Sequence, residues 1–388
     1  MDLNFTEEQQ ILRDMVRNLC EEHCGTRVVR ELENDPVGIP AGLWAQMRET
    51  GLLAMMLPEQ YGGMGLDMID RAVIYHEFGR ALAPGPHFAS SVMAALAIEA
   101  AGSAAQKEVL LPAIGRGELV VVPAWLEPDN GFGPEGVQLR ATAGAGAGGY
   151  RLDGVKRHVP CARAAQKLLV LARSGDAPGA VELLLVDVDA PGLGFEQQLS
   201  MASDTQYRVR FDGVEVPAAN RLGAAGSGWA TWSDCMHSGL ILLAAQAVGG
   251  AERALEITVE YAKGREQFDK PIAAFQALAH YMADAATVVD GAHTLVLEAA
   301  WAHANGKSVA RLAPMAKLFA CNTFRDVTAR CEQIHGGYGF TLEYDIQLFF
   351  RRAKQQQMNW WDSRYLEQLI AAEVLDGSGP TIDDPFAV

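Results

Sequence analysis

A chain of 388 residues is too long for one simple core and reads as two or three packed domains around a large buried interior. Its 49% hydrophobic and 21% charged content is that of an ordinary soluble globular protein. A formal charge of −16, with no basic tract to offset it, excludes non-specific binding to nucleic acid or to an acidic membrane surface, so any anionic ligand must meet a local cluster of positive charge.

The opening MDLNFTEEQQILRDMVRNL is amphipathic and acidic, unlike the basic head and apolar run of a secretory signal. Phe5, Ile11, Leu12, Met15, Val16 and Leu19 recur at helical spacing behind Asn4 and Thr6, either of which can cap the start. Further helices are predicted over residues 41–50, 67–81, 90–100 and 104–114, separated by breaks such as Pro58, Gly62, Gly63 and Pro84. The pattern changes at Val120. VVVPAW, VQLRAT, YRLDGVKRHV, KLLVLAR, VELLLVDV and YRVRFDGVEV are short, β-branched and bounded by turn residues, which predicts a β-domain to about Arg221. Helical periodicity then returns to the end, with Met236, Leu240, Leu243, Ala247, Ala251, Ala254 and Thr258 on one face of a long helix. Leu312, Met315, Phe319, Thr323, Val327 and Cys331 mark another. The expected domains are 1–119 (helical), 120–225 (β) and 226–388 (helical), an α+β architecture.

No stretch reaches the roughly 18 apolar residues of a membrane span. The six cysteines, Cys20, Cys24, Cys161, Cys235, Cys321 and Cys331, lie far apart with no C-x-x-C pair, so reduced, buried thiols in a cytoplasmic protein are expected. No histidine pair has metal-ligand spacing with a carboxylate partner, and no metal site is expected. GAGAGG at 144–149 satisfies G-x-G-x-x-G by letter, but it is followed by the strand-like YRLDGV where a dinucleotide fingerprint needs a helix, so it reads as a loop between strands. NGKS at 305–308 has Trp301 where a P-loop needs its first glycine, and HSG at 237–239 has Met236 where a nucleophile elbow needs one.

Two ordered motifs carry the chemistry: YAKGREQFDKPIAAFQ at 261–276 and QIHGGYGF at 333–340. Together they resemble the acyl-CoA dehydrogenase family, and the resemblance runs from about residue 1 to 375. It implies an N-terminal helical domain, a small middle β-barrel or β-sheet domain and a C-terminal four-helix bundle. It also implies FAD as cofactor and an acyl-CoA thioester as substrate. By the resemblance, Arg265 pairs with the FAD pyrophosphate through charge-assisted hydrogen bonds, Phe268 packs on the nucleotide and Gln276 bonds near the phosphates. Gln333 precedes the turn at which Gly336 and Gly337 let backbone approach the pyrophosphate. Asp269 departs from the family's glycine and brings a negative charge near phosphates. Read without the family, Arg265 caps a helix end and the double glycine is only a turn.

Relatives place a carboxylate base at one of two positions, which fall here on Trp360, counting without gaps from Lys354, and on Gly239, counting from Ala244. Neither residue can accept the substrate proton. Loss of a general base typically removes about two to four decades of rate, or roughly 3–5 kcal/mol of barrier. Asp362 is the nearest candidate for a displaced base and Asp234 a more distant one; for Asp362 the structural alternative is a solvated carboxylate at a helix start, and for Trp360 and Trp361 it is core aromatics filling a vacated pocket. Leu240 stands where many relatives have an arginine. The family's T-E-P-x-A-G-S segment reads Leu126-Glu127-Pro128-Asp129-Asn130-Gly131-Phe132, and its W-I-T segment reads His158-Val159-Pro160, where proline has no N–H to offer.

In the family a flavin is shared across a subunit interface, with one chain giving the β-domain wall, base and acyl pocket, and its mate giving the arginine, phenylalanine and glycine-turn contacts. This chain keeps the contacts made to a neighbour's flavin and has lost those made to its own. The resemblance thus implies a subunit that completes the flavin site of a homologous catalytic chain in an α2β2 tetramer, as in dehydrogenases for bulky substrates such as steroid side chains. The alternatives are a self-sufficient homotetramer using Asp362 and a structural or regulatory homologue that binds no flavin.

Overall fold

The structure is a computed structural model that describes residues 4–128, 131–144, 148–177 and 179–376. Helices come first: α1 (Glu7–His23), α2 (Thr26–Glu31), α3 (Ala41–Glu49), α4 (Met68–Arg80), a π-helical stretch over His87–Ala94 that runs into α5 (Ala95–Ala101), and α6 (Ala104–Gly115). Strands β1 (Val121–Ala124), β2 (Arg140–Ala143), β3 (Tyr150–Pro160), β4 (Lys167–Arg173), β5 (Val181–Asp187), β6 (Leu193–Gln198), β7 (Gln206–Val216) and β8 (Arg221–Leu222) follow. The chain then returns to helix in α7 (Gly228–Gly264), makes a short hairpin of β9 (Glu266–Gln267) and β10 (Lys270–Pro271), and continues through α8 (Gln276–Ala304), α9 (Leu312–His335), α10 (Ile346–Met358) and α11 (Ser363–Ala371). Among the described residues no helix is long and apolar enough to cross a membrane. All six cysteines are buried, and none is paired in a disulfide among the described residues.

Two compact units emerge, one of residues 21–66 and 84–236, the other of residues 1–20, 67–83 and 237–388. The first is built on one mostly antiparallel sheet in the order β6-β7-β3-β2-β4-β5-β8, with β1 added in parallel to β4. β4 and β5 are buried almost throughout, which is why KLLVLAR and VELLLVD read as apolar runs without alternation. β6 is not foreseen by the pattern. LGFEQQ buries none of its residues fully and is held in register by β7, from Leu193↔Phe211 to Gln198↔Gln206. The glycine-rich run 144–149 falls between β2 and β3 as expected, with residues 145–147 outside the described residues.

In the second unit the face predicted on α7, Met236 to Thr258, is buried at every named position. α4 meets α7 backbone to backbone: a Cβ on Gly79 would lie 1.9 Å from the Gln246 carbonyl oxygen, and one on Gly249 would lie 1.9 Å from that of His76. Only glycine permits that approach. Thr6, not Asn4, caps α1, its Oγ1 accepting from Gln9 N while Gln9 Oε1 accepts from Thr6 N. The face expected on α9 needs correction, since Phe319 is 43% exposed and the buried side is carried by Ala313, Ala316, Ala320, Phe324, Val327 and Cys331. Ile11 on α1 is likewise exposed.

Candidate functional site

The hairpin after α7 turns the chain in two residues. Phe268 and Asp269 occupy its tip at φ 54° and 60°, the left-handed pair that a tight two-residue hairpin requires. Aspartate tolerates that conformation better than most side chains, which accounts for Asp269 where relatives have glycine. Phenylalanine is strained there, and its ring is 86% exposed. Arg265, exposed at the root of the hairpin, donates its backbone N–H to Tyr261 O and accepts from Ile272 N, and its guanidinium lies 5.9 Å from the Tyr338 ring centre with no carboxylate partner among the described residues.

Opposite the hairpin, α9 ends at Gly336, whose φ of 62° and ψ of −139° lie in a region open only to glycine. A Cβ on Gly336 or Gly337 would meet nothing within 4 Å. At Gly337, where φ is not left-handed, nothing inside the chain demands glycine, so the missing side chain leaves room for something from outside. Arg265, Phe268, Gln333 and Gly337 line one groove of about 790 Å³. Gln276 and Gly336 lie next in sequence to its walls, and Gln276 opens α8, whose first-turn N–H groups favour an anion. An unpaired guanidinium, an open glycine backbone, a helix N-terminus and an exposed aromatic ring are the groups that a dinucleotide's phosphates and base would need, so the residues present fit FAD.

Sequence reasoning assigned no role to two residues here, His335 in the groove wall and Glu332 before it in the chain. His335 stacks on Tyr261 at 4.3 Å and 22°, and its Nδ1 donates to Cys331 O at 2.8 Å, which leaves Nε2 buried without a partner. Glu332, 3% exposed, also has an unpartnered buried oxygen, and burial raises its carboxyl to about 7. The available signal was a glutamate inside the apolar stripe Val327, Cys331, Ile334. Because the folded value lies above the ordinary one, this group stabilises the fold fully in acid, and the contribution is lost as pH rises through about 7. Glu332→Gln should therefore flatten the decline of Tm between pH 5 and 8, as read by thermal melts across that range. An unchanged slope would mean the carboxylate is solvated.

At the positions of the family's base, Gly239 is buried within α7, while Trp360 and Trp361 link α10 to α11 at φ 53° and 69°. Trp361 is fully buried, with the His237 and Tyr365 rings at 5.5 and 5.3 Å. Lys317, itself buried, donates from Nζ to Asn359 O at 2.8 Å and to Trp361 O at 2.7 Å, and so pins this strained corner. Burial lowers the Lys317 pKa, against the opposing pull of Cys321 and Asp362. Asp362 is the N-cap of α11, with Oδ1 accepting from Tyr365 N at 2.9 Å. Asp234 is exposed on the first turns of α7.

In the sheet unit, Glu127 pairs with the buried Lys156 at 2.6 Å and accepts from the N–H groups of Gln138 and Leu139. Phe132 lies 6.0 Å from the Trp125 ring, and Asp129 and Asn130 are outside the described residues. His158, at φ 53°, gives its backbone N–H to Gln198 Oε1 and bonds Gln206 through Nδ1. Neither that N–H nor Pro160 is available to a ligand.

Comparison with known proteins points to one family. Residues 6–118 match the acyl-CoA dehydrogenase N-terminal domain and residues 226–360 the acyl-CoA dehydrogenase C-terminal domain. An acyl-CoA dehydrogenase of Bacillus subtilis (strain 168) is 32% identical over 97% of this chain and 100% of its own. Among solved structures, a variant of the Tcur3481-Tcur3483 steroid ACAD is 31% identical with a TM-score of 0.84, covering 96% of this chain and 98% of its own. The ChsE4-ChsE5 complex from Mycobacterium tuberculosis is 26% identical with a TM-score of 0.86, covering 98% and 100%.

Proposed function

The chain belongs to the acyl-CoA dehydrogenase family, FAD-dependent oxidoreductases acting on CH–CH groups, and within it we propose that this chain completes the flavin site of a homologous catalytic partner and carries no complete site of its own. The observation that carries the reading is an asymmetry. The groove of Arg265, Phe268, Gln333 and Gly337 keeps its free cation and open backbone, while the base position falls on the half-buried Trp360, between Asn359 and the fully buried Trp361, whose carbonyls Lys317 holds. FAD, when bound, accepts the hydride removed from the acyl chain. Toward it, Arg265 would pair with the pyrophosphate, Gln276 and the start of α8 would face the phosphates, Gly336 and Gly337 would admit them closely, and Phe268 would cover the nucleotide.

The substrate class is an acyl-CoA thioester. A bulky, steroid-like acyl group and an α2β2 tetramer are the finer reading, supported by the 31% identity to the steroid ACAD and the likeness to the ChsE4-ChsE5 complex. The six buried thiols fit a reducing cytoplasm, and the domains are taken as 1–119, 120–225 and 226–388.

Purifying the chain alone and again with a co-expressed homologous chain from the same chromosome tests this. The expected outcome is a colourless product alone and a yellow tetramer with the partner. A yellow homotetramer with one flavin per subunit would end the proposal. Asp362→Asn keeps a competent helix cap, so turnover of the complex should be nearly unchanged; a loss of two decades or more would instead make Asp362 the displaced base of a self-sufficient enzyme.

A further inference from the structure

A second cavity, of about 80 Å³, lies among α1, α4, α7 and α8, apart from the flavin groove. One wall is apolar, formed by Val73, Val248, Val296 and Leu297, and the other carries Arg13, Arg17, His76, Glu252 and His293. Most of these charges are spoken for. Arg17 forms a forked pair with Glu77 at 2.9 and 2.8 Å, and Glu252 lies 2.9 Å from His76 Nε2 and 3.1 Å from Arg80. Burial alone would raise Glu252, but His76 and Arg80 outweigh it and hold the carboxyl at about 2, so it stays a fully matched anion.

Two groups remain. Arg13 has a buried Nε with no hydrogen-bond partner, and its ion pair to the exposed Asp14 is 3.6 Å long. Its guanidinium lies 6.0 Å from the Phe5 ring centre at the cavity wall. His293, stacked 5.3 Å from His76, makes no hydrogen bond among the described residues. Burial and the neighbouring His76 charge hold it at about 4, so at neutral pH it is an uncharged imidazole with one donor and one acceptor free. A guanidinium whose Nε makes no hydrogen bond and an imidazole without a hydrogen-bond partner among the described residues, lining a cavity with aliphatic side chains, make an amphipathic receptor.

We propose that this cavity is a binding site for a short-chain aliphatic carboxylate, with the carboxylate on Arg13 and His293 and the alkyl tail against Val73, Val248 and Val296. Dicarboxylic acids do not fit, because the remaining polar groups of the lining, Arg17, His76 and Glu252, are already paired. The site does not depend on the flavin assignment, since no residue is shared between the two cavities.

The test uses the full chain, purified with whatever flavin and partner accompany it, titrated calorimetrically with acetate, propionate and butyrate. Affinity should rise about fourfold per added methylene, butanol should not bind, and Arg13→Met should weaken butyrate at least tenfold. In the wild type, butyrate should shift the imidazole signals of His293 in heteronuclear NMR, a readout that needs no variant to fold. Butyrate binding that Arg13→Met leaves unchanged, or that leaves the His293 signals in place, would overturn the assignment, as would an absence of binding along the whole series.

Discussion

Replacing Arg265 by alanine is expected to weaken flavin binding to the assembled protein by about 10- to 100-fold, the loss that follows from removing a charge-assisted hydrogen-bonded pair worth about 1.5–3 kcal/mol. Arg265 is exposed, carries no ion pair among the described residues and packs no core, so its removal costs the fold little and its ligand much. Lysine at the same place should recover only part of the affinity, because a point charge cannot reproduce the guanidinium fork. Absorbance of bound flavin per protein after gel filtration, followed by retitration with free FAD, reads the effect. Full flavin retention in Arg265→Ala would remove this residue, and with it the groove, from the cofactor site.

The largest effect on stability should come from Lys156→Met. Lys156 is fully buried, its ammonium held 2.6 Å from Glu127 and 3.2 Å from the Trp125 carbonyl. Burial lowers its pKa, with Glu127 opposing the shift. Removing the cation strands a buried carboxylate, a change that typically costs about 3–5 kcal/mol. Adding Glu127→Leu should restore only part of that. Glu127 also accepts from the backbone of Gln138 and Leu139, whose N–H groups would then be orphaned. Urea unfolding of the single and double variants separates these contributions; a single variant within 1 kcal/mol of wild type would mean that the sheet unit tolerates the unpaired charge through water.

Glu127 also shows where sequence reasoning stopped short. Within its motif it invites a role at the ligand, yet its oxygens are consumed by Lys156 and two backbone N–H groups, and no local pattern announces a partner twenty-nine residues away. Long-period features were legible. The buried face of α7 followed from six apolar residues and Thr258 at helical spacing, and the strands KLLVLAR and VELLLVD from their short apolar runs. β6 escaped because an edge strand held by one neighbour needs no alternation. On α9 the apolar side chains of Leu312, Met315 and Phe319 misled the helix phase, since the first two are half-buried and the third is exposed. For the site, the motif named Arg265, Phe268, Gln333 and Gly337, which line one groove. It assigned no role to Glu332 or His335, whose significance comes from burial, while the helix-start alternative for Asp362 matches its place as the cap of α11.

The rim of that groove has a cellular consequence. Phe268 in that groove, and Phe340 and Leu342 beside its Tyr338 and Thr341 in sequence, are 86%, 72% and 71% exposed. If a partner chain covers these side chains, a copy that never acquires that cover would be the one exposed to chaperones and proteases. Abundance would then be set by the supply of whatever covers the rim and not by the chain's own rate of synthesis. A pulse-chase measurement of its half-life, with and without the co-expressed homologue, would show surplus chain being cleared.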